Sequence, residues 1–171
     1  GKIGNKNTAA FAALLLLAMP HFLHFSKLGM MDVPMTFFVL LMIYLFWIGQ
    51  DRHQFLFFSG AVFGIAYLMK GFAAFLALII IILYCVFTKN SRALLKPQFI
   101  CGILLGFLCI SGWHFIQYAH AGKEALDNYF GFHIFKRATE SLDYHVGGIN
   151  FYQKAIFNKN KPWSVLSYIS V

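Results

Sequence analysis

Long apolar runs separated by short polar connections make up most of this chain. Five runs contain no Lys, Arg, Asp or Glu, and they cover residues 7–26, 33–50, 53–69, 71–88 and 97–122. They are roughly 17 to 26 residues long, and a helix that rises about 1.5 Å per residue needs about 20 residues to cross the hydrocarbon core of a bilayer. The run from Phe75 to Cys85 also lacks the polar stripe that a soluble helix would carry.

The pattern therefore predicts an all-α, polytopic transmembrane helical bundle. Residues 1–121 form the predicted membrane region, with about five spans at 8–25, 34–48, 55–69, 72–88 and 98–118. Between the third and fourth spans, Lys70-Gly71 interrupts an apolar stretch too long for one crossing, so we expect a turn there. Gly60 and Gly64 have the spacing at which another helix can approach closely, which indicates a packing face.

Residues 122–162 form a polar stretch that holds four of the six acidic side chains. Its length and aromatic content argue against a disordered linker, so we expect a loop that follows the membrane surface with short interfacial helices. Residues 163–171 are apolar and predict the start of a further span. Because the chain begins at Gly1 and ends within that run, we expect it to be an internal piece of a longer protein.

Composition supports the membrane assignment and narrows the partners. Apolar residues make up 60% of the chain and charged residues 12%, against about 45–50% and 25% in soluble domains. The net charge of +8 lies beside the spans rather than in one patch, which favours anionic lipid headgroups as partners over nucleic acid. The cysteines, Cys85, Cys101 and Cys109, lie in apolar runs, where a disulfide framework is not expected.

Charge alone leaves the orientation of the bundle open. Spans alternate sides, so six basic residues lie on one face: Lys2, Lys6, Arg52, Lys89, Arg92 and Lys96. The other face has Lys27, Lys70 and the basic residues of the long loop. If only short connections count, the first face is cytoplasmic under the positive-inside rule, but counting the long loop removes the preference.

Asp32 and Lys70 are candidate functional residues because an ionisable group at a membrane-embedded turn is costly unless it is paired or solvated. Each also has a structural interpretation. Asp32 is suited to the N-terminus of the following helix, and Lys70-Gly71 to a helix C-terminus. Because both fall on the face of the long loop, a second interpretation gains weight beside the structural one. It is a carboxylate and an ammonium at the mouth of a helical cavity, a site that would orient a hydroxyl or sugar and hold a phosphate.

The long loop supplies three further candidates. His133 and Arg137 are four residues apart and share a face if the segment is helical, and His145 follows. Arginine suits bidentate phosphate recognition, although an interfacial helix that meets lipid headgroups explains the same spacing. His21 and His24 are three apart, but no Cys or nearby carboxylate completes a metal site. No metal or other cofactor is indicated, although a divalent metal is compatible with the sequence.

No nucleotide-binding fingerprint occurs, so an enzyme here would use a preactivated, lipid-linked substrate. Four segments of the chain resemble motifs of a known family. The first two are Leu28-Gly-Met-Met-Asp32-Val-Pro34-Met-Thr-Phe-Phe and Ala66-Tyr-Leu-Met-Lys70-Gly71. The other two are Tyr129-Phe-Gly-Phe-His133-Ile-Phe-Lys-Arg137-Ala-Thr and His145-Val-Gly-Gly-Ile-Asn-Phe-Tyr with Lys161-Pro162-Trp163. In this order and spacing the chain resembles bacterial members of the dolichyl-phosphate-mannose protein mannosyltransferase family. That family includes the aminoarabinose transferases that modify lipid A. The pattern departs at Phe72, where many members have Pro.

The resemblance implies a GT-C membrane fold and transfer of a sugar from a polyprenyl-phosphate carrier to a lipid A, protein or glycan acceptor outside the cytoplasm. It places the long loop on the extracytoplasmic side of a bacterial inner membrane. Asp32 would be an acid near the reaction centre, and Lys70, His133, Arg137 and His145 would bind the substrate. The family's main catalytic carboxylate would precede Gly1, so we expect this piece alone to be inactive.

Two other functions remain open at this point. A transporter or lipid-carrier flippase would also place ionisable groups in the membrane, although usually near its midplane. A non-catalytic assembly or polymerase subunit is the third possibility.

Overall fold

The structure, a computed structural model, describes residues 5–127 and 129. Regular secondary structure in these residues is entirely helical, which confirms the all-α part of the predicted fold class. The helices are α1 (Lys6–Ala18), α2 (Pro20–Lys27), α3 (Asp32–Gly49), α4 (Gln54–Lys70), α5 (Phe75–Phe87) and α6 (Pro97–Leu126), with short 3-10 helices at Gly71–Ala74 and Ser91–Ala93. The predicted loop over 122–162 and the apolar run at 163–171 lie almost wholly outside the described residues. Residues 5–33 belong to one compact unit and the remaining described residues to another.

In the first unit, α1 and α2 replace the single span predicted over residues 8–25. Asn5 caps α1, since its Oδ1 accepts hydrogen bonds from the backbone N (2.8 Å) and the Oγ1 (2.9 Å) of Thr8. The helix ends at Ala18 because Met19 precedes Pro20, and a residue before proline is pushed out of the helical region. Met19 has φ −70° and ψ 116°, and Pro20 begins α2. The residues predicted as one span are therefore divided into two helices, and the span itself stays a prediction.

Three helical stretches in the described residues are long and apolar enough to cross a membrane, namely Asp32–Gly49, Gln54–Phe87 and Pro97–Glu124. Large apolar side chains remain exposed along them, as in Phe87 at 83% and Phe115 at 71%. Such surface is suited to lipid rather than water. The structure therefore supports an integral membrane protein, while the count of five spans stays a prediction.

The second stretch, Gln54–Phe87, is a hairpin of α4 and α5 rather than one long helix. Gln50, just before α4, donates from Nε2 to the hydroxyl of Tyr84 near the end of α5, at 3.3 Å. Its Oε1 also accepts from Nδ2 of Asn90 at 3.0 Å. The end of α5 thus returns to the start of α4, and the chain turns back after Lys70, as the sequence predicted.

Helices α4 and α6 run parallel and touch through glycines on both sides. A Cβ on Gly64 would lie 2.6 Å from Cα of Gly106, and one on Gly60 would lie 2.5 Å from the backbone N of Ile103. Backbones this close tolerate no side chain at the contact. The predicted packing face at Gly60 and Gly64 is confirmed, and its partner is the equally spaced pair that includes Gly102 on α6.

Helix α3 packs antiparallel to α4 in the core of the second unit. The fully buried Ser59 of α4 donates from Oγ to the backbone carbonyl oxygen of Met42 on α3, at 2.8 Å. Phe46 of α3 meets Phe99 of α6 edge-on, with ring centroids 5.2 Å apart. Burial of these side chains holds the helices together. The direction in which the helices pack determines which residues lie at the same end of the bundle.

Candidate functional site

The turn after α4 presents Lys70 at one end of the second unit. Lys70 is the last residue of α4 and is exposed. Gly71 follows with φ 56° and ψ −128°, a conformation that L side chains rarely adopt, and its backbone N–H donates to the carbonyl oxygen of Tyr67. The structural interpretation of this step, a glycine that ends the helix, is confirmed. The exposed ammonium remains compatible with phosphate binding.

An aromatic cluster lies directly below this turn. We use that name for Phe63, Tyr67, Phe72, Phe75, His114 and Tyr129. Phe72 stacks on Phe75 with ring centroids 5.5 Å apart, and both rings meet Tyr67, at 6.0 and 6.2 Å. Ring packing by Phe72 thus holds the turn against the end of α4 and the start of α5.

Tyr129 brings the chain that follows α6 onto the turn. A Cβ on Gly71 would lie 3.0 Å from the Tyr129 hydroxyl oxygen. The hydroxyls of Tyr129 and Tyr67 are hydrogen-bonded to each other. Since Tyr67 is only 7% exposed, this bond lies within the aromatic cluster. One residue of the long polar segment is thereby fixed beside Lys70.

His114 completes the polar part of the aromatic cluster. It lies on α6 and is half-buried. Its ring centroid is 4.7 Å from that of Tyr129 and 6.4 Å from that of Tyr67. An ionisable side chain inside a membrane bundle is costly to place there, which makes it a candidate for function.

The opposite end of the second unit, which we call the tied end, joins its two loops through exposed and half-buried polar side chains. Gln50 bridges Tyr84 and Asn90 as described above. Lys96 donates from Nζ to Nε2 of His53. Connections here are stabilised by contacts between neighbouring loops rather than by a buried cluster.

The predicted site residues are only partly placed. Asp32 is the first residue of α3 and is half-buried, and its charge is favourable at the positive end of that helix. It falls within the first compact unit and Lys70 within the second, so each is described within its own unit. His133, Arg137 and His145 lie outside the described residues. Their roles stay predictions.

Three site residues were missed by the sequence analysis: Tyr67, His114 and Tyr129. Two of them had a signal, because Tyr67 is one helical turn before Lys70 and Tyr129 opens the segment that leads to His133. Nothing in the spacing of the sequence brings His114 to them, since that contact depends on how α6 packs against α4. In the part of the chain that the structure describes, no group of three or more His, Cys, Asp or Glu side chains could hold a metal ion.

The helices are apolar, expose surfaces suited to lipid and fold back at a charged turn. These features define a polytopic integral membrane protein of the helical class. Residues 1–115 match the family model described as dolichyl-phosphate-mannose-protein mannosyltransferase. The chain belongs to this family, which confirms the resemblance found in its motifs. The matched residues include Asp32, Lys70 and His114.

A relative from Aquifex aeolicus (strain VF5), described as an uncharacterized protein, is 32% identical to this chain over 127 residues. The match covers 72% of this chain and 25% of that protein. The chain therefore spans about a quarter of the length of the relative. No solved structure matches the chain.

Proposed function

We propose that the protein is a membrane glycosyltransferase of the GT-C type, which moves a sugar from a polyprenyl-phosphate carrier to an acceptor outside the cytoplasm. Family membership supports the class of reaction. The proposed location is a bacterial inner membrane, with the polar loop on the extracytoplasmic side. The acceptor is a lipid A, a protein or a glycan.

The observation that carries the proposal is the contact of Tyr129 with the Lys70 turn. Tyr129 opens the motif that contains His133 and Arg137, and its hydroxyl lies against Gly71. The motif therefore begins beside the turn that follows Lys70, and several cations together suit a phosphate.

The proposed roles follow from charge. Lys70 and Arg137 hold the carrier phosphate and stabilise the negative charge that develops on it as the bond to the sugar breaks. His133 and His145 border the sugar, and Asp32 is an acid near the reaction centre. A carboxylate accepts the proton of the acceptor nucleophile in such a reaction. The energy comes from the phosphate–sugar bond, so no nucleotide is needed.

The proposal is tested with the full-length protein in proteoliposomes that contain a synthetic polyprenyl-phosphate sugar and a lipid A, peptide or glycan acceptor. Transfer products are measured by mass spectrometry. We expect Lys70→Ala, Arg137→Ala and Asp32→Asn each to lower transfer at least about 10-fold, the effect of losing one charged contact to a transition state. Arg92→Ala, which removes a cation from the tied end, is the matched control and should leave transfer unchanged.

Turnover that is unchanged in the first three variants would remove the proposed roles. Movement of the carrier across the vesicle membrane without any transfer product would instead identify a flippase.

A further inference from the structure

Within the proposed site, the strongest unassigned feature is the polar part of the aromatic cluster. It contains two tyrosine hydroxyls and one imidazole, from α4, α6 and the segment after α6. The Tyr67 ring is 7% exposed, and a hydroxyl at such depth is costly unless it is hydrogen-bonded. Phenylalanine would pack equally well in an aromatic cluster. The hydroxyls therefore indicate a purpose beyond packing.

We propose that Tyr129 and Tyr67 are positioning residues that fix the segment after α6 to the Lys70 turn. The inference rests on the proposed function, because the ligand they serve is the phosphate of the lipid-linked donor. Neither tyrosine is proposed to touch that donor. They act through the turn that presents Lys70.

Three contacts of Tyr129 support this positioning role. The Tyr67–Tyr129 hydrogen bond joins α4 to the segment after α6. Tyr129 also closes over Gly71, where a Cβ would come within 3.0 Å of its hydroxyl oxygen. The ring of His114 packs against that of Tyr129 at 4.7 Å and holds it from the side of α6.

Glycine at position 71 has a double role in this arrangement. Its positive φ ends α4 so that Lys70 is the last helical residue, and its missing side chain admits the Tyr129 hydroxyl. The turn that presents Lys70 is thereby held by contacts from two sides. A phosphate binds better when the cation that meets it is already in place, because less ordering has to occur on binding.

The test uses the full-length protein in nanodiscs, with Tyr129→Phe, Tyr67→Phe and the double variant. Each change removes a hydroxyl and keeps the ring. Loss of one hydrogen bond corresponds to about a five-fold change in an equilibrium constant, so we expect KM for the polyprenyl-phosphate sugar to rise about three- to ten-fold. Turnover at saturating donor should stay within about two-fold. The double variant should be no worse than either single variant, because both break the same bond.

Tyr118→Phe is the matched control. Tyr118 lies on α6 and is 49% exposed, so losing its hydroxyl should leave KM unchanged. A second readout does not depend on transfer. A water-soluble, amine-reactive reagent labels Lys70, and the labelling rate is measured by peptide mass spectrometry. This rate should change in Tyr129→Phe but not in Tyr118→Phe.

An unchanged KM together with unchanged Lys70 labelling in Tyr129→Phe would overturn the inference. A fall in turnover that is accompanied by a fall in the thermal unfolding midpoint would also overturn it, because the role would then be purely structural. If labelling changes but the wild-type protein transfers no sugar, the positioning role stands and the proposed function fails.

Discussion

The two ends of the second unit organise polar groups in different ways. At the tied end, Gln50 and Asn90 form their bonds between exposed or half-buried loop side chains, where water competes for every partner. At the Lys70 end, a hydroxyl bond lies inside a cluster of rings and next to a strained glycine. Polar groups are costly to bury, and a connection between helices does not require them. The buried hydroxyl bond at the Lys70 end therefore goes beyond what joining helices requires, in keeping with the role proposed for that end.

The largest effect on stability is expected at the glycine contact between α4 and α6, which lies between the two ends. In Gly64→Ala the new Cβ would meet backbone of Gly106 at 2.6 Å, and backbone cannot yield as a side chain can. We expect a loss at the upper end of the range of about 1–3 kcal/mol known for overpacking, measured as the free energy of unfolding in detergent.

The matched control is Gly112→Ala, on α6. A Cβ there meets nothing within 4 Å, and alanine is the better helix former. The variant should be as stable as the wild type or slightly more stable. Equal losses at Gly64 and Gly112 would show that the close approach of α4 and α6 does not stabilise the bundle.

A smaller effect is expected when only the Lys70 end is changed. Gly71→Ala forces an L side chain into a positive φ and places its Cβ against the Tyr129 hydroxyl. The backbone cost is about 1–2 kcal/mol, and transfer should fall with it because the turn that presents Lys70 is displaced. Unfolding and sugar transfer are measured on the same preparation. Full transfer by the destabilised variant would contradict the difference between the two ends.

The smallest effect is expected at the tied end. Gln50→Ala removes the bonds to Tyr84 and Asn90, and hydrogen bonds between exposed or half-buried side chains contribute about 1 kcal/mol or less. Sugar transfer should stay at the wild-type rate. Gln98→Ala, at the exposed start of α6, controls for the loss of an amide. A fall in transfer for Gln50→Ala would show that the two ends are coupled.

The sequence predicted the features that depend on neighbouring residues. A charge followed by glycine in an apolar run predicted the turn at Lys70, and the spacing of Gly60 and Gly64 predicted a packing face. The break at Met19 was missed, although Pro20 was visible, because the apolar run continued through it and hydropathy carries no information about backbone angles. The backbone restriction that proline places on the residue before it was the stronger effect.

Contacts between distant parts of the chain could not be predicted in the same way. Tyr67, His114 and Tyr129 come together only because α4 and α6 lie parallel with α5 returning between them in sequence. The glycines Gly102 and Gly106 share the spacing of Gly60 and Gly64, but pairing the two sets required knowing that helix order. Asp32 and Lys70, in contrast, became candidates without any geometry, because they are ionisable groups at turns in apolar sequence; their roles stay predictions.

The glycine contact between α4 and α6 also sets an order of assembly. Two helices that run the same way cannot be neighbours through a single hairpin, so the chain must first return through α5 before α6 can dock. Until α6 has been synthesised and inserted, the flat face at Gly60 and Gly64 has no helix of its own to close it. During biosynthesis, the α4–α5 hairpin therefore waits in the bilayer with its tightest interface still open.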